Sequence, residues 1–373
     1  MPSSTPSLDP RPIRIGSLFS GYGGLDLAVE HATGGETVWF SELNDPVARV
    51  FAHHWPDAPN LGDITAVNWD QVMPVDVLCG GFPCQDVSTV GKQAGLAPGT
   101  RSGLWSRMVE AIDVLQPRQV VIENVRGLLS ARAIRPQMQG ATDHERNRAT
   151  PSAATPGDLE SATWGLGDDA ARPLRALGAV LGDLADLRYD ARWIGLPASA
   201  LGAPHHRFRV FILATRPDAV PDTVGVGLLP RRRDLGAGQG PARDDRAVAS
   251  GDRSDLARSG WLTGQQERTG DAVVPDREHL HRWGRYARAI ARWEHITGRT
   301  APAPALLTDG DKLRPAPEFV EWLMGLPEGW VTDPARGLTV NQAMKALGNG
   351  VLPVQAREAL RVLQHAPSVV SWS

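Results

Sequence analysis

Cysteine is almost missing from this chain: its 373 residues include only Cys79 and Cys84. Two cysteines cannot build a disulfide framework, and neither sits in a metal-ligand spacing. Lysine is nearly as scarce. Lys92, Lys312 and Lys345 are the only three, so arginine carries almost all the positive charge. Arginine suits phosphates and guanine edges, although genome base composition explains the bias equally well. There is no surplus of positive charge either. The formal net charge is -3, so no global field announces a polyanionic partner. No apolar run is long enough to span a bilayer and no secretory leader is recognisable, so an intracellular protein is expected. No internal repeat is present. What remains is ordinary: 42% hydrophobic and 22% charged residues, enough to build one large domain or two modest ones.

The chain is organised around Gly80-Gly81-Phe82-Pro83-Cys84-Gln85-Asp86-Val87-Ser88. The apolar run Val75 to Cys79 before it reads as a buried strand, broken by glycines and a proline. Cys84 then lies on a loop at a strand's carboxyl end, where open α/β sheets bind ligands. Cys79, inside the strand, reads as inert packing. Alone, a cysteine beside Gly and Pro is as readily a structural turn as a reactive group.

Taken in order, residues 1–12 read as a disordered lead-in. Ile13 to Phe19 is a first strand, running into the glycine turn Ser20-Gly21-Tyr22-Gly23-Gly24 that opens a helix over Leu25 to Glu30. Such a turn lets a ligand approach backbone beside a helix N-terminus, and a plain tight turn is the rival reading. Val38 to Glu42 is a second strand ending in an acid, placed about twenty residues after the glycines, as ribose-binding acids are. Asp45 is a candidate cap for a helix over 46–55. Asp63, after Leu61-Gly62, is a further acid or an ordinary N-cap. Arg118 to Ile122 is another strand, with Glu123-Asn124-Val125 at its carboxyl end. Glu42, Asp63, Cys84 and Glu123 are therefore expected at one sheet edge.

Residues 131–172 read as a flexible insertion. A helix is expected over 174–187, and strands over 192–194 and 209–214. Between these strands lies Pro204-His205-His206-Arg207-Phe208-Arg209; with no third ligand nearby, its histidines do not make a metal site. Residues 216–280 are rich in Gly, Pro, Arg and Asp, and Arg231-Arg232-Arg233 reads as a solvated face or a phosphate contact. Trp283, Tyr286, Ile290 and Trp293 recur at helical spacing and read as core. Phe319 to Leu326 is a helix ending at a turn, and Leu347-Gly348-Asn349-Gly350-Val351-Leu352-Pro353 precedes a helix to about Leu363.

This ordered set resembles the DNA (cytosine-5) methyltransferases. The resemblance rests on Phe19-Ser20-Gly21-Tyr22-Gly23-Gly24, Glu42, Asp63, Pro83-Cys84-Gln85, Glu123-Asn124-Val125, Arg207-Phe208-Arg209 and Gly348-Asn349-Gly350-Val351-Leu352-Pro353. It covers most of the chain outside 131–172 and 216–315. Two departures stand out. His205 replaces the family's usual Gln, and no Arg-Glu pair precedes Leu323-Met324-Gly325-Leu326-Pro327.

The resemblance implies a Rossmann-like, S-adenosylmethionine-dependent α/β domain over 13–215, completed by 338–373. Residues 216–337 would form a smaller inserted target-recognition domain. It implies a prokaryotic or phage-type DNA (cytosine-5-)-methyltransferase working in a cytoplasm. The chain would be monomeric and act on double-stranded DNA, with a cognate restriction endonuclease as a further partner. Cys84, Glu123, Arg207 and Arg209 would be catalytic. Phe19, Gly21, Gly23, Gly24, Leu25, Glu42, Leu43, Asp63, Ile64, Pro83, Leu104, Asn349 and Val351 would hold the methyl donor. No metal is implied. The loop 85–100 would close over a flipped base, and 216–315 would read its neighbours. Three rivals stay in view. A thiol acyltransferase would need a His base near Cys84. A non-catalytic DNA-binding module would be free to lose Cys84 or Glu123, and both are present. An RNA methyltransferase would use the same chemistry.

Overall fold

The computed structural model describes residues 11–83, 103–133, 174–217, 274–308 and 312–365. Strands β1 (Arg14–Leu18), β2 (Glu36–Ser41), β3 (Val77–Gly80), β4 (Gln119–Val125), β5 (Asp190–Pro197) and β6 (Phe208–Thr215) form one sheet in the order β2-β1-β3-β4-β6-β5. The first four run parallel, and β6 and β5 are antiparallel to their neighbours. Strands β1, β3 and β4 are buried along almost their whole length, as helix cover on both faces requires. Helices α1 (Gly24–Thr33), α2 (Asp45–His54), α3 (Leu104–Leu115) and α4 (Ala176–Asp186) follow within the first half. A two-stranded pair, 132–133 against 174–175, stands where the insertion and the next helix were each expected to begin, so α4 starts at Ala176.

The second half supplies α5 (Arg277–Trp283), α6 (Ala287–Thr297), the hairpin β7 (Ala305–Thr308) and β8 (Lys312–Pro315), then α7 (Pro317–Leu323), α8 (Val340–Asn349) and α9 (Pro353–His365). Gly284, at φ 51°, interrupts the helical stretch expected to carry four core aromatics and aliphatics in a row. Ile290 and Trp293 are buried behind the break, whereas Tyr286 is 54% exposed, a correction to the single-face reading. Helix α9 lies on α1 and shares a cluster of Ile15, Leu25, Ala356 and Leu360. Trp293, Trp322 and Trp330 share another with Tyr22, Phe51 and Leu347, so these later residues pack directly on the first strands' helices.

Helix α7 carries a group that sequence reading passed over. Glu321 is 1% exposed. Its carboxylate accepts the N–H groups of Gly329 (2.8 Å), Val331 (2.6 Å) and Thr332 (3.0 Å) and the Thr332 hydroxyl (2.9 Å). This ties down the turn that carries Trp330, in the stretch where the family's Arg-Glu pair is missing. Each buried donor left unpaired costs about 1–3 kcal/mol. Glu321→Ala is therefore expected to destabilise the protein by at least about 3 kcal/mol, read from a urea-unfolding midpoint. A loss under about 1 kcal/mol would show that water replaces the carboxylate without penalty.

Candidate active site

Strand register builds the site. Leu18 pairs with Ser41 and Gly80, and Gly80 pairs with Ile122. The next residue on each strand therefore falls in one row across the sheet edge: Phe19, Glu42, Gly81 and Glu123. Asp63 does not end a strand, contrary to expectation. Only Asn60, three residues earlier, bridges to Phe40. Glu123 is the fifth residue of β4 rather than the residue after it.

Phe19 leaves β1 with φ 53°, a left-handed turn that starts the glycine loop. Gly21 N–H donates to Glu42 Oε2 at 3.1 Å and Asn44 N–H to Oε1 at 2.8 Å. Burial raises the Glu42 pKa, and the hydrogen bonds from Asn44 and Gly21 oppose that rise. The two glycines that follow serve packing. A Cβ on Gly23 would strike the Trp55 ring, and one on Gly24 would strike the Val351 carbonyl. Gly23 thus makes room for a neighbouring side chain, where sequence reading had it make room for a ligand. Asp63 Oδ1 accepts the Thr65 N–H and hydroxyl, both at 2.9 Å, and these bonds lower its pKa. Leu43 is 72% exposed, Ile64 is 5% exposed in the core, and Leu104 packs against that same core.

Antiparallel pairing of β4 with β6 sets Val125 opposite Arg209 and Glu123 opposite Phe211. Arg209 Nε reaches Glu123 Oε1 at 2.7 Å, with both side chains largely buried. Burial raises the Glu123 pKa, while Arg209 and then Arg207 pull it back. A Cβ on Gly81 would come within 2.8 Å of Glu123 Oε2, so the glycine there leaves space for this carboxylate. Arg207 Nη2 donates to the carbonyls of Gly348 (2.9 Å) and Gly350, which ties the Arg207-Phe208-Arg209 segment to the end of α8. Gln355 on α9 clamps the same segment from behind, donating to the carbonyls of Leu196 (2.7 Å) and Arg207 (2.9 Å). His205 Nε2–H donates to the Leu323 carbonyl at 3.0 Å, and burial lowers its pKa, so a neutral imidazole does here what an amide donor would.

Cys84 and the loop 85–100 lie outside the described residues, as do most of 131–172, all of 218–273 and Arg231-Arg232-Arg233. The approach to Cys84 is held from β4. Asn124 Nδ2 donates to the Phe82 carbonyl at 3.2 Å, and Val125 N–H donates to Asn124 Oδ1 at 2.8 Å. Half-buried Pro83 follows directly. Cys79 is fully buried, its thiol pushed well up by burial.

One cavity gathers much of this. Of the residues singled out from sequence, it is lined by Phe19, Gly21, Gly24, Leu25, Glu123, Asn349 and Val351. Sequence reading missed Ser17, Asp26 and Tyr22, which line it too. Tyr22 is fully buried and donates its hydroxyl to the Val351 carbonyl at 2.7 Å, so it latches the C-terminal return onto the glycine turn. Its position between two glycines was the available signal. Gly23, Glu42, Leu43, Asp63, Ile64, Pro83, Leu104, Arg207 and Arg209 do not line the cavity.

The comparisons with known proteins agree on one family. Residues 13–139 match the family model described as C-5 cytosine-specific DNA methylase. Similar relatives include the Type II methyltransferase M.NgoFVII of Neisseria gonorrhoeae, 40% identical over 134 residues, which is 35% of this chain and 35% of that protein. The Type II methyltransferase M.NgoBV of Neisseria gonorrhoeae is 27% identical over 214 residues, 55% of this chain and 43% of that protein. The matches thus span less than half the length of these relatives. The chain also shares a fold with the S. pombe Dnmt2 methyltransferase. That match has a TM-score of 0.50 at 14% identity and covers 94% of this chain and 98% of that one. No helix among the described residues is long and apolar enough to cross a membrane.

Proposed function

We propose that this protein transfers a methyl group from S-adenosylmethionine to carbon 5 of a cytosine in double-stranded DNA. The observation that carries this reading is the double membership of Glu123. It lines the cavity beside the glycine turn and is paired with Arg209 at 2.7 Å, so the groups suited to a cytosine edge adjoin the space suited to a methyl donor.

S-adenosylmethionine supplies a methyl group on an electrophilic sulfonium. Phe19, Gly21, Gly24, Leu25, Pro83, Asn349 and Val351 would surround its methionine end. Glu42 keeps lone pairs for the ribose hydroxyls beyond the two backbone bonds it accepts. Asp63 spends only Oδ1 on Thr65, leaving Oδ2 for the adenine amine. Leu43, Ile64 and Leu104 would hold the adenine faces. A cytosine inside a duplex cannot reach this edge, so it must be flipped out at a cost of about a few kcal/mol. Arg209 then holds the base's O2, supported by Arg207, and Glu123 meets N3 and the exocyclic amine. The Cys84 thiolate adds to carbon 6. Carbon 5 becomes enamine-like and would take the methyl as its bond to the sulfonium breaks and the donor leaves as the neutral thioether; the carbon-5 proton then leaves to a base or water, and the thiolate departs. Burial raises the Glu123 pKa while Arg209 and then Arg207 oppose the rise, and the mechanism calls on this carboxyl to share a proton with N3. Residues 216–315 would read the flanking bases.

The test uses the purified full chain with tritiated S-adenosylmethionine and either genomic DNA or tRNA. Nucleoside digestion is expected to place the label in 5-methyldeoxycytidine. Label in RNA alone would favour the RNA reading, and label at another atom would reject the mechanism.

A further inference from the structure

Three buried polar atoms line the same cavity without a hydrogen-bond partner: Ser17 Oγ, Ser20 Oγ and Asp26 Oδ2. Ser17 and Asp26 are 1% exposed and Ser20 is 8% exposed. Buried polar groups are normally paired, and a buried carboxylate without a cation is costly. Three orphans around one cavity therefore mark a place built for something absent from the chain. The other Asp26 oxygen accepts the Cys79 thiol at 3.5 Å, and the Ser17 hydroxyl lies close enough to favour the charged carboxylate. Burial pushes the Asp26 carboxyl up to about 7, the hydrogen bonds from Ser17 and Cys79 oppose the rise, and the like charge of Glu30 adds to it. The site thus presents one buried carboxylate oxygen and two hydroxyl oxygens, facing the return at Asn349–Val351.

We infer that Asp26, helped by Ser17 and Ser20, receives the α-ammonium group of the methyl donor's methionine end. This rests on the cofactor reading above. S-adenosylmethionine carries two positive groups, and they make different demands. The sulfonium has no N–H to donate. The ammonium has three, matching the Ser17 and Ser20 hydroxyl oxygens and a buried carboxyl that the bound cation would hold ionised. A charge-assisted hydrogen bond in this water-poor setting discriminates strongly between a ligand that has the ammonium and one that lacks it. The methyl-transfer step itself does not need this contact; it fixes which end of the donor enters the cavity.

The experiment is calorimetry on the full chain with two nucleosides. S-adenosylhomocysteine keeps the ammonium and lacks the sulfonium. 5′-Methylthioadenosine lacks the whole amino-acid group. Asp26→Asn, isosteric and still able to accept from Cys79, is expected to weaken S-adenosylhomocysteine about 10- to 100-fold and leave 5′-methylthioadenosine within about twofold. Ser20→Ala, a smaller change, is expected to show the same selectivity with a loss of about 3- to 10-fold, and it serves as the readout should Asp26→Asn not fold. Equal losses for both nucleosides would overturn the inference, because they mean that the cavity has collapsed. Unchanged affinity for both would overturn it as well. Wild-type protein that binds neither nucleoside would reject the cofactor reading and this inference together.

Discussion

Cys84→Ser is expected to abolish methyl transfer, on the order of a millionfold, because a covalent nucleophile and its partners act as a unit. The clearest measurement is trapping. An oligonucleotide with 5-fluorocytosine at the target has no carbon-5 proton to lose, so the thiolate cannot depart after methylation. Wild-type protein should form a stable adduct that depends on S-adenosylmethionine, and Cys84→Ser should form none. An alcohol is far less ionised than a thiol near neutral pH. Cys79→Ser is the internal control. That thiol is fully buried between β1 and α1, 3.5 Å from Asp26, with its pKa driven well up, so it cannot serve as the nucleophile. Trapping should survive this change, with some loss of stability. An adduct that persists in Cys84→Ser, or that maps to Cys79, would overturn the assignment.

Glu123→Gln is the second large effect. The amide fits the space that Gly81 leaves, so the fold should hold. Two things are lost. Arg209 keeps its largely buried position without a counter-charge, and the base loses a partner that can give a proton to N3. Positioned acid–base groups contribute about 10²- to 10⁴-fold. The expected outcome is a kcat/KM lower by about 10²- to 10³-fold, DNA affinity within about threefold, and slow but detectable trapping. Circular dichroism and the unfolding midpoint separate this from misfolding. Activity within about threefold of wild type would remove Glu123 from the chemistry and leave it a structural partner of Arg209.

Much of the fold was legible because the signals are local. The run before Gly80, the glycine turn after Leu18 and the acid after Ser41 each declare a strand end through composition alone. Parallel strands buried on both faces must be apolar, and the chain must break where they stop. Motif order supplied the remainder: Glu123, Arg207, Arg209 and Asn349 were nameable before any geometry existed. The antiparallel β5–β6 pair was not nameable as such. It is this pair that brings Arg209 back along β4 to meet Glu123, although the two are far apart in sequence.

Sequence by itself determined which residue types stand at the strand ends, and that one cysteine follows a glycine-proline break while the other ends an apolar run. Only tertiary structure decided what each of them faces. Gly21, Gly23 and Gly24 look alike as letters, yet one donates its amide to Glu42, one yields to Trp55 and one yields to the Val351 carbonyl. Glu321 and Asp26 look like ordinary helix acids. The Glu321 carboxylate is buried against four donors, whereas Asp26 leaves one oxygen without a partner in a cavity, a difference set by chain segments hundreds of residues away in the case of Asp26 and Val351. Burial and pairing are properties of the packed neighbourhood, and they decide whether a carboxylate holds the protein together or waits for a ligand.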